Sequence, residues 1–224
     1  MKVLNYGSLN VDYVYSVDHI IVGGETQHSS KLEVFSGGKG LNQSIALAKA
    51  GVPVYHAGIV GTDGDILLEA CKEAGVNTKY IRRLPVKGGH TMIQVDKNAQ
   101  NCIILYGGTN QMQTKEFVDE VLADFGEGDY LMLQNEINML DYIIDQAYEK
   151  KMKIVMNPSP FDDKLSTCDL SKVYLFLVNE IEGEQITGCK DKDQILDAMA
   201  AKFPNARFVL TLGSDGAVYY DGKE

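Results

Sequence analysis

Short apolar strands alternate with segments of helical periodicity along most of this 224-residue chain. "KVLNYG", "AGVPVYHAGIVG", "DYLMLQ", "KIVMN", "VYLFLVN" and "RFVLTLG" read as buried strands. Between them, "DILLEACKEAG" stops at Gly75, and "MLDYIIDQAYEKK", "EIEGEQITG" and "DQILDAMAAKF" read as helices. Such alternation predicts an α/β fold: a mostly parallel sheet with helices on both faces. The hydrophobic content of 45% supplies a sizeable core, and the length suits one α/β domain over residues 1–224 with a small appendage.

Two stretches break the rhythm. "VDYVYSV" and "KLEVF", within residues 11–36, alternate apolar and polar residues, and "HTMIQVDKNAQNCIILY" at 90–106 reads as a hairpin around "DKNAQN". Period-two patterning predicts a small antiparallel sheet, inserted at about 11–36 and 88–107. As a second layer it forms a lid over the C-terminal strand ends, the edge where open α/β sheets bind ligands. A sheet of so few strands is marginal alone. "VYSV", "LEVF" and "CIILY" carry more apolar residues than one lid-to-domain contact needs. Two lids are therefore expected to pack face to face in a homodimer.

Charge narrows the partners. Twenty-one Lys and Arg against 31 Asp and Glu give a net charge of −10. That surface repels nucleic acid and anionic lipid, so neither is an expected partner. No run approaches the length of a membrane span, and Asn5, Asn10 and Asp12 interrupt any apolar region of a signal peptide in "MKVLNYGSLNVD". Cys71, Cys102, Cys168 and Cys189 are widely spaced and read as reduced, buried thiols of a cytoplasmic protein. His19, His28, His56 and His90 lack zinc-ligand spacing.

The glycine turn in "FSGGKGLNQSIALAKAG", residues 35–51, poses a sharper question. Gly37, Gly38 and Gly40 permit positive φ and close backbone approach. A helix starting near Leu41 would present free N–H groups, which favour negative or oxygen-rich groups. Lys39 is disfavoured at that positive dipole end, which suggests a partner for it: an anion, a carboxylate or a ligand hydroxyl. On these residues alone two readings stand, a binding turn and a structural turn with a solvated lysine. The spacing is not that of a P-loop, and "GIVGTDG" at 58–64 is not a dinucleotide fingerprint. Other strand ends add weight. Asn10 and Asp12 follow the first strand, Glu136 follows "DYLMLQ", Asn179 and Glu182 follow "VYLFLVN", and "TLGSDG" ends a fourth. Together they outline one crevice, and its carboxylates and amides suit a polyol.

"GSLNVD", "GGET", "FSGGKGLNQSIALAKAG", "GGTN", "LQNE", "NPSP", "NEIEGEQITG" and "TLGSDGA" occur in the order typical of ribokinases. Across essentially its whole length the sequence resembles the ribokinase-type sugar kinases of the PfkB family. The resemblance implies an α/β sandwich with a small β-lid and transfer of the γ-phosphoryl of ATP to a sugar hydroxyl. Ribose is the expected acceptor; the alternatives are another sugar or a nucleoside, or a non-catalytic sugar-binding or regulatory relative. It assigns Asn10, Asp12, Gly38, Lys39, Asn42 and Glu136 to the sugar. Asn179, Thr211, Gly213 and Gly216 fall to ATP, and Glu182 to magnesium through water. The oxygen-rich partner at the glycine turn then becomes the sugar, and Lys39 pairs with a nearby acid. In two places the chain departs from the family: Asn135 stands where leucine is frequent, and Asp215 where a basic residue is common. A third departure is larger. The family's "GAGD", with its catalytic aspartate, anion-stabilising helix end and nearby potassium site, does not occur in this sequence. The expectation is that the catalytic base lies beyond Glu224 or is lacking.

Overall fold

A computed structural model describes residues 1–221. In chain order, β1 (Val3–Tyr6) is followed by β2 (Asn10–Ser16), β3 (Lys31–Gly37), α1 (Lys39–Lys49), β4 (Val54–Val60), α2 (Asp65–Ala74) and β5 (Asn77–Arg83). Next come β6 (Gly89–Val95), β7 (Asn101–Tyr106), α3 (Lys115–Leu122), β8 (Tyr130–Gln134), α4 (Leu140–Glu149) and β9 (Lys153–Asn157). The last elements are β10 (Leu175–Asn179), α5 (Glu180–Thr187), α6 (Lys192–Lys202), β11 (Arg207–Thr211) and β12 (Ala217–Tyr220). Short 3-10 turns join several of these. The helix ends obey local rules. Gly75 adopts φ 80° and stops α2, while Thr114 caps α3 by accepting from Phe117 N at 3.3 Å.

The chain divides into two compact units, residues 1–6 with 114–224, and residues 7–113. In the first unit the strands run in the order β12-β11-β10-β9-β8-β1, all pairs parallel except β11 with β12. Its core is aliphatic and aromatic: Leu4, Leu131, Leu133, Ile143, Ile154 and Phe208 are fully enclosed. Phe176 stacks on Phe208 with ring centroids 5.9 Å apart. Side chains this enclosed contribute roughly 1.5–3 kcal/mol each in transfer terms.

In the second unit β4 and β5 pair in parallel, and a separate four-stranded sheet runs β3-β2-β6-β7. The mostly parallel α/β sheet and the small lid sheet are thus both present. The lid, however, is mixed rather than antiparallel. β2 pairs β3 antiparallel and β6 pairs β7 antiparallel, but β2 and β6 run parallel, with Asp12 opposite Thr91. The physical reason is connectivity. The connections at 17–30 and 96–100 carry no helix or strand and return the chain antiparallel, whereas β3, α1, β4, α2 and β5 intervene between β2 and β6 and form the long crossover that parallel pairing requires.

The cysteines need a second correction. All four are free, but only Cys71 is buried; Cys102 lies exposed on β7, and Cys168 and Cys189 are half-buried. Burial pushes the Cys71 thiol up to about 11. No helix among the described residues is long and apolar enough to cross a membrane.

Candidate active site

α1 starts at Lys39, two residues earlier than the sequence suggests, and Gly38 precedes it at φ 95°. Its first N–H groups do not all face a ligand. Gly40 N donates to Ser8 Oγ at 3.1 Å, and Leu41 N donates to the Ser8 carbonyl at 3.0 Å. The turn is therefore docked on the Gly7–Ser8 backbone, and glycine is required for steric reasons. A Cβ on Gly40 would stand 2.6 Å from the Gly7 carbonyl carbon. This corrects the inference from the helix dipole, since Ser8 consumes donors that the sequence leaves open.

β2 carries Asn10 and Asp12, two residues apart and so on one face of the strand. Asn10 is buried and Asp12 half-buried. Oδ1 of Asp12 accepts from the Thr91 hydroxyl at 2.6 Å. The rest of its carboxylate lies against Gly37, where a Cβ would collide with Oδ2. Gly38 packs behind Asn10: its Cβ would come within 3.1 Å of the Asn10 backbone nitrogen. Asn42 is exposed on the first turns of α1, and Lys39 is half-buried at its start. The second unit thus gathers Asn10, Asp12 and the glycine turn.

Several residues of this cluster escaped the sequence reading. Asn110 is fully enclosed; its Oδ1 accepts from Leu9 N at 3.0 Å and its Nδ2 donates to Asn10 Oδ1 at 2.7 Å. Its only sequence signal was the "GGTN" motif. Thr91 was hidden in a strand pattern. His56, read only as lacking metal spacing, is enclosed between α1 and the Gly7 carbonyl, where burial pushes it down to about 4.

In the first unit Glu136 sits in the turn two residues past β8 and is half-buried. The same turn is anchored by Asn135, whose Nδ2 donates to Asp162 Oδ1 at 2.8 Å and to the Pro160 carbonyl at 2.6 Å. The asparagine that departs from the family pattern therefore braces a loop. Asn179 and Glu182 form a reciprocal capping box on α5: Glu182 N donates to Asn179 Oδ1 at 2.8 Å, and Asn179 N donates to Glu182 Oε2 at 3.1 Å. Thr211 lies opposite Asn179 in the β10–β11 register. Gly213 and Gly216, with φ 58° and 93°, frame the exposed turn that follows. A Cβ on either would meet open space, so positive φ rather than close packing explains glycine there. Among the described residues no three His, Cys, Asp or Glu side chains cluster in a way that could hold a metal ion. Glu182 is buried, and its carboxylate is engaged by the Asn179 N–H.

A mostly parallel sheet with a small separate mixed sheet places the chain in the α/β class. The family model for pfkB family carbohydrate kinases matches residues 1–224, and the chain belongs to that family. It is 32% identical to a ribokinase of Staphylococcus aureus, covering 100% of this chain and 73% of the relative. It is 27% identical to a deoxyribokinase of Salmonella typhi, covering 98% and 74%. The solved structure of a Cryptococcus neoformans ribokinase in complex with ADP superposes with a TM-score of 0.81 at 28% identity, covering 100% of this chain and 76% of that one.

Proposed function

We propose that this protein phosphorylates a sugar hydroxyl with ATP, converting ribose to ribose 5-phosphate. The observation that carries the reading is the Asn10–Asp12 pair, held on one face of β2 by Asn110, Thr91 and the glycines at 37 and 38. An amide donor beside a carboxylate acceptor matches neighbouring hydroxyls, which accept and donate at once. Gly38, Lys39, Asn42 and Glu136 complete the sugar contacts in this reading. Asn179, Thr211, Gly213 and Gly216 take the nucleotide, with Glu182 ordering magnesium through water and potassium as a monovalent activator. Asp12 and Glu136 are assigned to hydroxyl contacts, and the base is assigned to neither.

The deoxyribokinase relative favours a second reading, in which the acceptor is 2-deoxyribose. ADP release by the full-length protein across ribose, 2-deoxyribose, fructose and adenosine separates these. Ribose is expected to give the highest kcat/KM; release no faster with any sugar than without would overturn the kinase reading and leave a sugar-binding protein.

The lid supports self-association. Val34, Met92 and Ile104 share one face by register, and each is between 43% and 61% exposed. A cavity of about 310 Å³ lined by Tyr15, Ile21, Met92 and Ile104 adds to it. We expect a homodimer through this sheet, and light scattering at micromolar concentration that returns a monomer would overturn it. The four unpaired cysteines suit a reducing cytoplasm.

A further inference from the structure

We propose that Asn110 is a positioning residue that fixes which end of the Asn10 amide meets the substrate, and so sets the hydrogen-bond polarity of the sugar site. An asparagine amide can turn over with no change of shape, exchanging two donors for an acceptor. Something fixed must choose the orientation, and a backbone group does so here. Leu9 N is a donor only, so the atom of Asn110 that it meets at 3.0 Å is the oxygen. The nitrogen of Asn110 therefore points at Asn10, and the atom it meets at 2.7 Å is Asn10 Oδ1. Asn10 Nδ2 is left on the far side of the amide, with no partner among the described residues.

The relay is enclosed. Asn110 is 1% and Asn10 2% exposed, so water does not substitute for either partner. Gly89 forms its floor: a Cβ there would overlap Asn110 Nδ2 and stand 2.5 Å from Asn10 Oδ1. One backbone N–H thus propagates through two side chains to a single outward donor. The ligand group at Asn10 must then accept a hydrogen bond, as a hydroxyl or ring oxygen does, while Asp12 beside it takes hydroxyl protons. Groups that only donate, such as an ammonium, are refused at Asn10.

This inference rests on the sugar reading, and the test separates the two. Asn110→Asp is nearly isosteric and still accepts from Leu9 N, but it offers an acceptor to Asn10 and turns the Asn10 amide over. D-ribose affinity, read by titration calorimetry, is expected to fall about 10- to 100-fold, the cost of facing an oxygen with an oxygen. Thermal unfolding should change far less than in Asn110→Ala, which abandons Leu9 N. Asn10→Asp reads the same polarity without disturbing Asn110. It keeps an acceptor for Asn110 and presents an oxygen outward, so it should lose ribose comparably. Should the wild-type chain bind ribose and both aspartate variants bind it equally well, the positioning role is overturned and the sugar reading stands. A wild-type chain that binds none of ribose, 2-deoxyribose and fructose overturns the sugar reading and this inference with it. If Asn110→Asp does not fold, Asn10→Asp decides alone: retained affinity overturns the proposal and lost affinity supports it.

Discussion

The Ser44 hydroxyl donates to Nδ1 of His56 at 2.7 Å, and both residues are fully enclosed. Nε2 of the same ring donates to the Gly7 carbonyl at 3.3 Å, so a neutral imidazole ties α1 to the segment that leads into β2. Burial holds His56 at about 4, against 6.5 for an ordinary histidine. The unfolded chain therefore takes up a proton below pH 6.5 that the folded chain refuses until about pH 4. Stability is full above pH 6.5 and falls as pH drops through this window, by roughly 3 kcal/mol in all. Urea unfolding at pH 7 and pH 4.5 should show the loss in the wild type and a smaller loss in His56→Gln. Equal pH dependence in the two proteins would remove His56 as the source.

Asp12→Asn keeps an oxygen for the Thr91 hydroxyl and removes the charge. We expect ribose binding to weaken by roughly 1–3 kcal/mol, because charge-assisted bonds become neutral ones, while the melting temperature stays near that of the wild type. Unchanged affinity in calorimetry would confine Asp12 to bracing β2 against β6.

Gly89 has an ordinary φ, so alanine is permitted by the backbone and refused only by its neighbours. Gly89→Ala pushes Asn10 and Asn110 apart. The expected cost is about 1–3 kcal/mol in denaturant unfolding, with ribose binding reduced as well. A variant as stable as the wild type would show that the pair moves aside freely.

Glu182→Gln and Glu182→Ala separate capping from metal chemistry. Glutamine serves in a capping box, so its stability should match the wild type, whereas alanine should cost about 1 kcal/mol. If Glu182 also orders magnesium, the glutamine variant should need more magnesium for half-maximal ADP release in the full-length protein. An unchanged magnesium requirement would leave Glu182 as a cap alone.

The sequence by itself determined the layers. Apolar runs of strand length alternating with helical periodicity leave little choice but a parallel sheet with helices. The period-two segments at 11–36 and 90–106 likewise had to form a sheet with differing faces. Asn10, Asp12 and the glycine turn were legible because motif order and residue chemistry agreed. Tertiary structure decided the rest, and the reason is that hydrogen-bond partners are chosen in space. No periodicity announces that β2 and β6 run parallel, since pairing direction depends on the crossover between them. Nor does any pattern link Leu9 to Asn110, which lie about a hundred positions apart yet share a bond at 3.0 Å. The helix dipole suggested open donors at Gly40 and Leu41, and only the fold brought Ser8 there to satisfy them. Residue types fixed what could bond; the packing of backbone on glycine fixed which bonds formed.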